Sequence, residues 1–310
     1  MSYFDELTFS LKPVPPFRLD FSAWILRRRP ENAVDGWDGK SYQRVLVVDD
    51  KPLLVAVQQT GSVDRPRLRV MDSGRDVSFN AKASIAKALG RLLGTQSDLT
   101  PFYRLAASDK RLWPLAKRFK GMKPPRFATE FEALINGIAC QQLSLSAGIH
   151  LLNRLSKAFG LAVSVKGTHA YAFPRPQDLA RLKPEDFRKL GFNRQKARAM
   201  IELSTAIAEG RLNLESLEDR PDDEAVELLC GLRGVGRWTA EYVLLRGLGR
   251  LHVFPGDDVG TRNLLQRWLK LRKPLDYEGV HRVLAPWRPY AGLIYFHLLM
   301  TRLYESGCLN

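Results

Sequence analysis

The hydrophobic pattern of the chain changes character near residue 98. Before it, "YQRVLVV", "PLLVAVQQ" and "PRLRVMDSG" are short runs rich in β-branched residues, separated by polar or Pro- and Gly-containing turns. Such runs are typical of antiparallel strands. Two other stretches, "LDFSAWILRR" and "NAKASIAKALGRLLG", repeat apolar residues at spacings of three and four, which predicts helices. Residues 1–97 are therefore predicted to form an α+β domain, a small antiparallel sheet with helices.

Beyond residue 98 the strand pattern nearly disappears and helical spacing takes over. "TEFEALINGIACQQLSLSAGIHLLNRLSKAFG" carries an apolar helix stripe, and Thr129 with Glu132 supplies N-terminal capping chemistry. "RQKARAMIELSTAIAEG" predicts another helix that ends at Gly210, and "PDDEAVELLCGL" a further one after Pro221. This part of the chain is predicted to be all-α.

The segment "VELLCGLRGVGRWTAEYVLL" has the pattern of two helices joined by a tight turn, with Gly234 and Gly236 on either side of Val235. Glycine tolerates a positive φ and lets another surface approach the backbone closely. The first turn of the second helix offers unpaired N–H groups that favour an anion such as a DNA phosphate. We therefore predict a hairpin that grips a phosphate backbone without reading bases. A compact helix–helix corner is the alternative.

Charge points to the same kind of partner. Lys and Arg outnumber Asp and Glu by 48 to 33, a formal net charge of +15, and the excess attracts polyanions. The basic residues are spread through the C-terminal two thirds, as a long nucleic-acid-binding face requires. The alternative is a merely soluble basic protein.

Composition excludes several other classes. The apolar runs are too short for a membrane span, and "MSYFDELTFS" has no signal-peptide pattern, so we expect a cytoplasmic protein without membrane association. Cys140, Cys230 and Cys308 lie far apart without CxxC spacing, which indicates neither a disulfide framework nor a structural zinc site.

After the hairpin the chain reaches "VFPGDDVGTR". A helix-hairpin-helix followed by an aspartate at this distance resembles the helix-hairpin-helix DNA glycosylase superfamily, and more narrowly the bacterial 3-methyladenine DNA glycosylase II type. "FYRLAASDKRLWPLAKRFKGMKPPRFATEFEALINGIACQQLS", "KLGFNRQKARAMIELSTAIAEGRLNLESL" and "APWRPYAGLIYFHLL" are similar to the start of that family's helical core, its middle and its last helix. The resemblance covers most of the chain.

The resemblance implies a domain plan and an activity. Residues 1–97 would be the α+β domain, 98–121 with 259–310 a helical domain that completes the base pocket, and 122–258 the core, with the hairpin at about 225–245. The implied activity is that of a monofunctional N-glycosylase, which flips alkylated bases such as 3-methyladenine or 7-methylguanine out of double-stranded DNA and releases them in base excision repair. A monomer without a cofactor is expected, and a monovalent cation at the hairpin is left open.

The family's catalytic aspartate falls on Asp258. Breaking the bond between sugar and base passes through an oxocarbenium-like transition state, which a carboxylate beside the sugar stabilises. Its neighbour Asp257 would orient the loop or cap the next helix. For both aspartates, capping of the helix in "VGTRNLLQRWLKL" is the structural alternative.

Trp238 occupies the position at which the strand-cleaving relatives carry a lysine nucleophile. An indole cannot form a Schiff base, and the guanidinium of Arg237 stays protonated, so the resemblance implies no lyase activity. The four-cysteine iron–sulfur loop of the endonuclease III relatives is also missing, since Cys308 has no cysteine nearby.

An aromatic pocket favours cationic alkylated purines, because electron-rich ring faces attract a flat positive charge. Trp238 and Tyr242 lie four residues apart on one helix face. The family's pocket aromatics map onto both and onto Trp287, while Trp24 and Tyr290 are further candidates. Ordinary core packing is the alternative for each of them.

Contacts with DNA and the wedge that fills the gap of the flipped base complete the expectations. The predicted DNA contacts of the hairpin are Leu232, Gly234, Val235, Gly236, Arg237 and Thr239. The loop "GMKPPRF" would supply the wedge from Pro124, Pro125 or Met122. Gln141 and Asp257 would support the site from outside.

Two other functions remain open at this point. One is a glycosylase of the same superfamily for oxidised or deaminated bases. The other is a non-catalytic helix-hairpin-helix protein that only binds DNA. Asp258 beside an aromatic pocket argues against the second, because a binder would tolerate Asn or Ala there.

Overall fold

The computed structural model describes residues 7–73, 79–165 and 167–309. The amino-terminal residues 1–6, on which the signal-peptide expectation partly depends, lie outside this range. The described N-terminal part contains a five-stranded antiparallel sheet in the order β1-β5-β4-β3-β2. Its strands are β1 Leu7–Leu11, β2 Gly36–Trp37, β3 Ser41–Val48, β4 Lys51–Gln59 and β5 Leu68–Asp72. Helix α1 (Leu19–Arg27) follows β1, and α2 (Phe79–Leu93) follows the sheet.

The turn between β3 and β4 shows why the sheet has this register. Val48 pairs with Lys51, so only Asp49 and Asp50 form the turn, with φ of 50° and 61°. A two-residue turn with both φ positive matches the twist of the strands, and aspartate tolerates that conformation better than most residues. The antiparallel strands and the α+β class predicted for this part are confirmed.

The rest of the described chain is helical, as predicted, with one addition. Its helices are α3 Thr100–Ala107, α4 Leu112–Arg118, α5 Glu130–Cys140, α6 Leu145–Phe159, α7 Pro176–Leu179, α8 Pro184–Lys189, α9 Arg194–Ala208, α10 Asp222–Cys230, α11 Arg237–Arg246, α12 Val259–Trp268, α13 Tyr277–Leu284 and α14 Ala291–Glu305. A two-stranded hairpin, β6 Ala162–Val165 with β7 Thr168–Tyr171, was not predicted. Its residues are exposed or half-buried, so no strong hydrophobic alternation marked it.

The buried apolar side chains of the described residues form three clusters that meet at α1 and α11. One lies between the sheet, α1 and α2; one lies among α5, α6, α9, α10 and α11; the third joins α3, α4 and α14. Helix α1 belongs to two of them, because Leu19 and Leu26 face the sheet while Phe21 and Ile25 face the third cluster. The three-domain plan stays a prediction. No helix in the described ranges combines the length and apolarity needed to cross a bilayer.

A buried ion cluster joins the sheet to the helical core. Arg44 on β3 contacts Asp35 at 2.7 Å and Glu132 on α5 at 2.6 Å, and the hydroxyl of Tyr42 donates to Asp35 at 2.7 Å. Arg44, Asp35 and Glu132 are all at most 4% exposed at their side chains. Burial raises the pKa of Glu132, and the positive charge of Arg44 counteracts part of that rise. Each buried charge therefore contacts an opposite charge, and the cluster fixes how the sheet packs against the helical core.

Replacing the central cation should cost more than replacing an exposed one. We expect Arg44→Met to lower the free energy of unfolding by about 3–5 kcal/mol, because two carboxylates would remain buried without their partner. Arg220→Ala is the control: Arg220 pairs with Glu224 at 3.7 Å on the surface, and its loss should cost less than about 1 kcal/mol. Urea unfolding of both variants measures the difference. Equal small losses would show that the cluster does not hold the two parts together.

Candidate active site

The two glycines of the predicted hairpin have different roles. Gly234 has φ of 74°, and a Cβ there would lie 2.9 Å from the Cβ of Ala199 on α9. Both the backbone and the packing therefore require glycine. Gly236, by contrast, has an extended φ of −106°, and a Cβ there would meet nothing within 4 Å. No contact within the described chain requires a glycine at position 236. The backbone at Gly236 is therefore open to another molecule.

Gly236 is the N-cap of α11 and supplies no side-chain cap to the first turn. The N–H groups at this helix start therefore remain available for an anion. Gly234, Gly236 and Arg237 are exposed, as a phosphate contact requires, and Leu232 is half-buried.

The side chains of Val235 and Thr239 cannot contribute to that contact. Val235 is 7% exposed and packs in the helical core, and Thr239 is 1% exposed. The Thr239 hydroxyl accepts a hydrogen bond from Gln141 Nε2 at 2.9 Å, and the same nitrogen donates to the Gly234 carbonyl at 2.8 Å. Gln141 thus ties the loop after α5 to the hairpin, without a bond to Asp258.

A cavity of about 330 Å³ opens beside α11, at the meeting point of α1, α12 and α14. It brings Asp258, Trp238 and Tyr242 together, and Tyr295 from α14 completes one wall. The volume lies at the lower end of the range of small-molecule sites, roughly 300–1,000 Å³. It suits a single flat ligand.

The spacing of Trp238 and Tyr242 produces the aromatic wall. Their positions four apart on α11 stack the rings, with centroids 5.5 Å apart and an interplanar angle of 26°. The indole N–H of Trp238 is buried and has no partner in the described part of the chain. The wall therefore offers a flat ring face to the cavity, while the indole N–H stays enclosed.

Asp258 is both the cap of α12 and a lining residue of the cavity. Its Oδ1 accepts from the backbone N–H of Thr261 at 2.9 Å, and its Oδ2 accepts from the Tyr295 hydroxyl at 2.9 Å. The helix N-terminus favours a negative charge there. Burial raises the pKa of Tyr295 well above its usual value and the charge of Asp258 raises it further, so Tyr295 stays a donor. The cap, posed by the sequence as the alternative to a place in the pocket, and that place coincide in Asp258.

Asp257 points the other way and holds the loop. It pairs with Arg237 at 2.9 Å, and the Arg237 guanidinium lies 3.7 Å from the ring centroid of Tyr277. Glu241 on α11 accepts from the Tyr277 hydroxyl and from the backbone N–H of Gly256 at 3.1 Å. Asp257 therefore orients the loop and does not cap α12. Glu241 and Tyr277 were missed, because only the fold brings them to this loop.

Three predicted pocket aromatics lie elsewhere. Trp287 is 3% exposed, donates from its indole to Asp109 Oδ2 at 2.9 Å and packs against Trp268. Tyr290 packs edge-on against the ring of Phe102 at 5.5 Å. Trp24 is half-buried against the third apolar cluster. None of the three lines the cavity, and the alternative of ordinary packing holds for them, while Tyr295 provides the aromatic side chain of α14.

The predicted wedge residues are wrong for a steric reason. Met122, Pro124 and Pro125 are all buried, so none can enter DNA. The exposed apolar side chain at the cavity mouth is instead Leu143, 44% exposed, in the loop between α5 and α6. The preceding Gln142 has φ of 54°, which turns the chain outward. In the sequence, a leucine that follows two glutamines and precedes a serine could have indicated this exposed apolar residue.

Comparison with known proteins identifies the family. Residues 135–289 match the family model of the HhH-GPD superfamily base excision DNA repair protein. The chain belongs to this superfamily. A DNA-3-methyladenine glycosylase of Bacillus subtilis is 27% identical over 259 residues, which cover 84% of this chain and 81% of the relative. DNA-3-methyladenine glycosylase 2 of Escherichia coli is 30% identical over 171 residues, 56% of this chain and 58% of the relative.

A solved structure agrees with the described fold. The 3-methyladenine DNA-glycosylase from Archaeoglobus fulgidus superposes with a TM-score of 0.81 at 25% sequence identity, covering 96% of this chain and 99% of its own. No group of His, Cys, Asp and Glu within residues 7–73, 79–165 and 167–309 could hold a metal ion. That no cofactor is needed stays a prediction, as does the question of a cation at the hairpin.

The open surface at Gly236 leads to an affinity prediction. Aspartate is a favoured N-cap, so we expect Gly236→Asp to keep the melting temperature while it occupies the free N–H groups and repels phosphate. Duplex DNA affinity should then fall about tenfold or more, because contacts with phosphates supply most of the sequence-independent affinity for DNA. Fluorescence anisotropy at low salt measures it.

Gly236→Asn is the matched control, since it caps the helix without charge and should lose much less affinity. Unchanged DNA binding by Gly236→Asp would refute the phosphate contact at this helix start.

Proposed function

We propose that the protein is a monofunctional DNA N-glycosylase that removes alkylated bases from double-stranded DNA in base excision repair. One observation carries the proposal: the cap carboxylate of Asp258 and the stacked rings of Trp238 and Tyr242 line the same cavity. The names of the relatives, DNA-3-methyladenine glycosylases, support the substrate class.

The cavity chemistry follows from this arrangement. A base turned out of the duplex would stack on the aromatic wall, which attracts a cationic purine through its ring face. The deoxyribose would then sit beside Asp258, whose charge stabilises the oxocarbenium-like sugar and helps to direct a water. Tyr295 and the Thr261 N–H hold the two carboxylate oxygens in place, so the group needs little reorganisation during the reaction.

The absence of a lyase step is also part of the proposal. Strand cleavage by the related lyases needs an amine that forms a Schiff base. Trp238 stands at that position, and the described residues that line the cavity include no lysine. The product would be an abasic site in an unbroken strand.

Duplex binding would combine the hairpin with Leu143. The N-terminus of α11 would hold a phosphate next to the lesion. Leu143, exposed at the cavity mouth, would fill the space that the flipped base leaves. We propose a monomer as the active form, because the described site is formed by one chain.

Loss of the carboxylate should abolish base release without loss of fold. We expect Asp258→Asn to slow the release of 3-methyladenine from methylated DNA by roughly 10²–10³-fold or more, as removal of one transition-state stabiliser does. Its affinity for duplex DNA with an abasic site should stay within about threefold, because asparagine also caps a helix.

Asp276→Asn is the matched control, since Asp276 caps α13 by accepting from Gly279 N at 2.7 Å but does not line the cavity. It should leave the release rate unchanged. A rate for Asp258→Asn that equals the control would remove Asp258 from the chemistry.

The product distinguishes the monofunctional reaction. After incubation with methylated plasmid, we expect sites that break on alkali treatment and no nicks without it, because the described residues that line the cavity include no lysine to attack the sugar. Gel electrophoresis with and without alkali measures both. Nicks that appear without alkali, together with a covalent protein–DNA adduct formed when borohydride is present, would contradict the assignment of Trp238.

A further inference from the structure

The cavity carries more positive charge than a pocket for cationic bases needs. Four arginines line it, Arg28, Arg29, Arg246 and Arg302, against Asp258 as the one carboxylate among its described lining residues. Arg246 is 1% exposed and Arg28 is half-buried, and both line the cavity. These two guanidiniums cannot be solvated as surface cations are.

Their contacts leave both guanidiniums incompletely hydrogen-bonded. Arg28 donates to the Tyr242 hydroxyl at 3.3 Å and to Asn136 Oδ1 at 2.6 Å, and Arg246 donates to the Ile25 carbonyl at 3.3 Å. All three acceptors are neutral. The Nε–H groups of Arg28 and Arg246 are buried and have no partner in the described part of the chain. Both guanidiniums lie near the Phe127 ring, 5.5 and 4.9 Å from its centroid.

The same molecule shows what a purely structural buried arginine looks like. Arg44, which is buried like Arg246, contacts two carboxylates. Among the described residues neither Arg28 nor Arg246 contacts a carboxylate, although a cation shielded from solvent without such a partner is unfavourable. In addition, Arg28 follows α1 with φ of 61°, a conformation that costs any residue except glycine. Strain of this kind is commonly kept where it serves a site.

We propose that Arg28 and Arg246 form a guanidinium end of the base cavity that adds uncharged bases with carbonyl or ring-nitrogen acceptors to the cationic alkylated bases held by the aromatic wall. The inference rests on the proposed function, since it assumes that the cavity receives a flipped base. The planar donor set of arginine matches adjacent acceptors such as the O6 and N7 of a purine. A base with a fixed positive charge gains nothing from these donors and meets two like charges.

The chemistry of departure gives the same selection. In the hydrolysis, the C1′–N9 bond breaks with its electron pair going to the base, and water adds to C1′ while its proton passes to Asp258 and then to solvent. An uncharged base leaves as an anion and takes a proton from solvent, so guanidinium hydrogen bonds stabilise the charge that develops on it. A cationic methylated base leaves neutral and needs no such help. The two arginines should therefore act on one substrate class only.

The ratio of two release rates tests this selection. Single-turnover release is measured from a duplex with one hypoxanthine, which is uncharged and carries O6, and from methylated duplex that contains 3-methyladenine, which is cationic and lacks a carbonyl. We expect Arg28→Met and Arg246→Met each to lower hypoxanthine release about tenfold or more, the value of one good base contact. Release of 3-methyladenine should stay equal or rise. Arg302→Met, an exposed cation at the mouth, is the control and should leave the ratio unchanged.

The outcomes separate the two levels of the account. An unchanged ratio in both buried variants, or a wild type that releases 3-methyladenine but no hypoxanthine, overturns the selection by Arg28 and Arg246 and leaves the glycosylase proposal standing. A wild type that releases neither base overturns both. Should the Met variants not fold, by their melting curves, Arg28→Lys decides: it keeps the charge without the planar donor set. A loss confined to hypoxanthine then supports the inference, and an equal loss on both substrates contradicts it.

Discussion

The position of one carboxylate at the start of a helix organises the site. Asp258 accepts from the first turn of α12 with one oxygen and from Tyr295 with the other, so helix formation and orientation of the group are one event. The helix N-terminus keeps the negative charge favourable in a half-enclosed cavity. On the other side of the loop, Asp257 pairs with Arg237, and Glu241 holds the Gly256 N–H. The loop is fixed from both sides, which leaves Asp258 facing the space beside the stacked rings of Trp238 and Tyr242.

Features that depend on local spacing could be predicted from the sequence. Two aromatic residues four apart on one helix must share a face, so Trp238 and Tyr242 meet in any fold that keeps α11. The glycine turn and the aspartate after it follow in the same way. The sequence could not predict which residues of distant segments reach the cavity, because the rotation of each helix about its own axis decides which side chains face it. Trp287 and Tyr290 therefore pack in the core, and Tyr295, five residues after Tyr290, lies beside Asp258. The sequence also did not distinguish the buried prolines from a wedge on the surface.

The roles of the individual charged residues were the hardest feature to predict from the sequence. The net excess of +15 predicts a polyanion partner, yet it gives no hint that some arginines are interior. Arg44 is neutralised by Asp35 and Glu132 and serves architecture. Arg28 and Arg246 line the cavity and contact neutral acceptors, and in our proposal they add a hydrogen-bonding end to an otherwise aromatic pocket. The same residue type thus holds the fold in one place and shapes ligand choice in another, and only the surrounding acceptors distinguish the two.

The central claim is that Asp258 stabilises positive charge on the sugar of a flipped nucleotide, and a complex with an abasic analogue tests it most directly. A duplex with a pyrrolidine in place of the deoxyribose carries that charge permanently. The account predicts a co-crystal structure in which the pyrrolidine nitrogen lies within about 4 Å of the Asp258 carboxylate, an ion-pair distance, with the cavity behind it. A pyrrolidine that stays in the DNA stack, or one that is bound outside this cavity, would contradict the account.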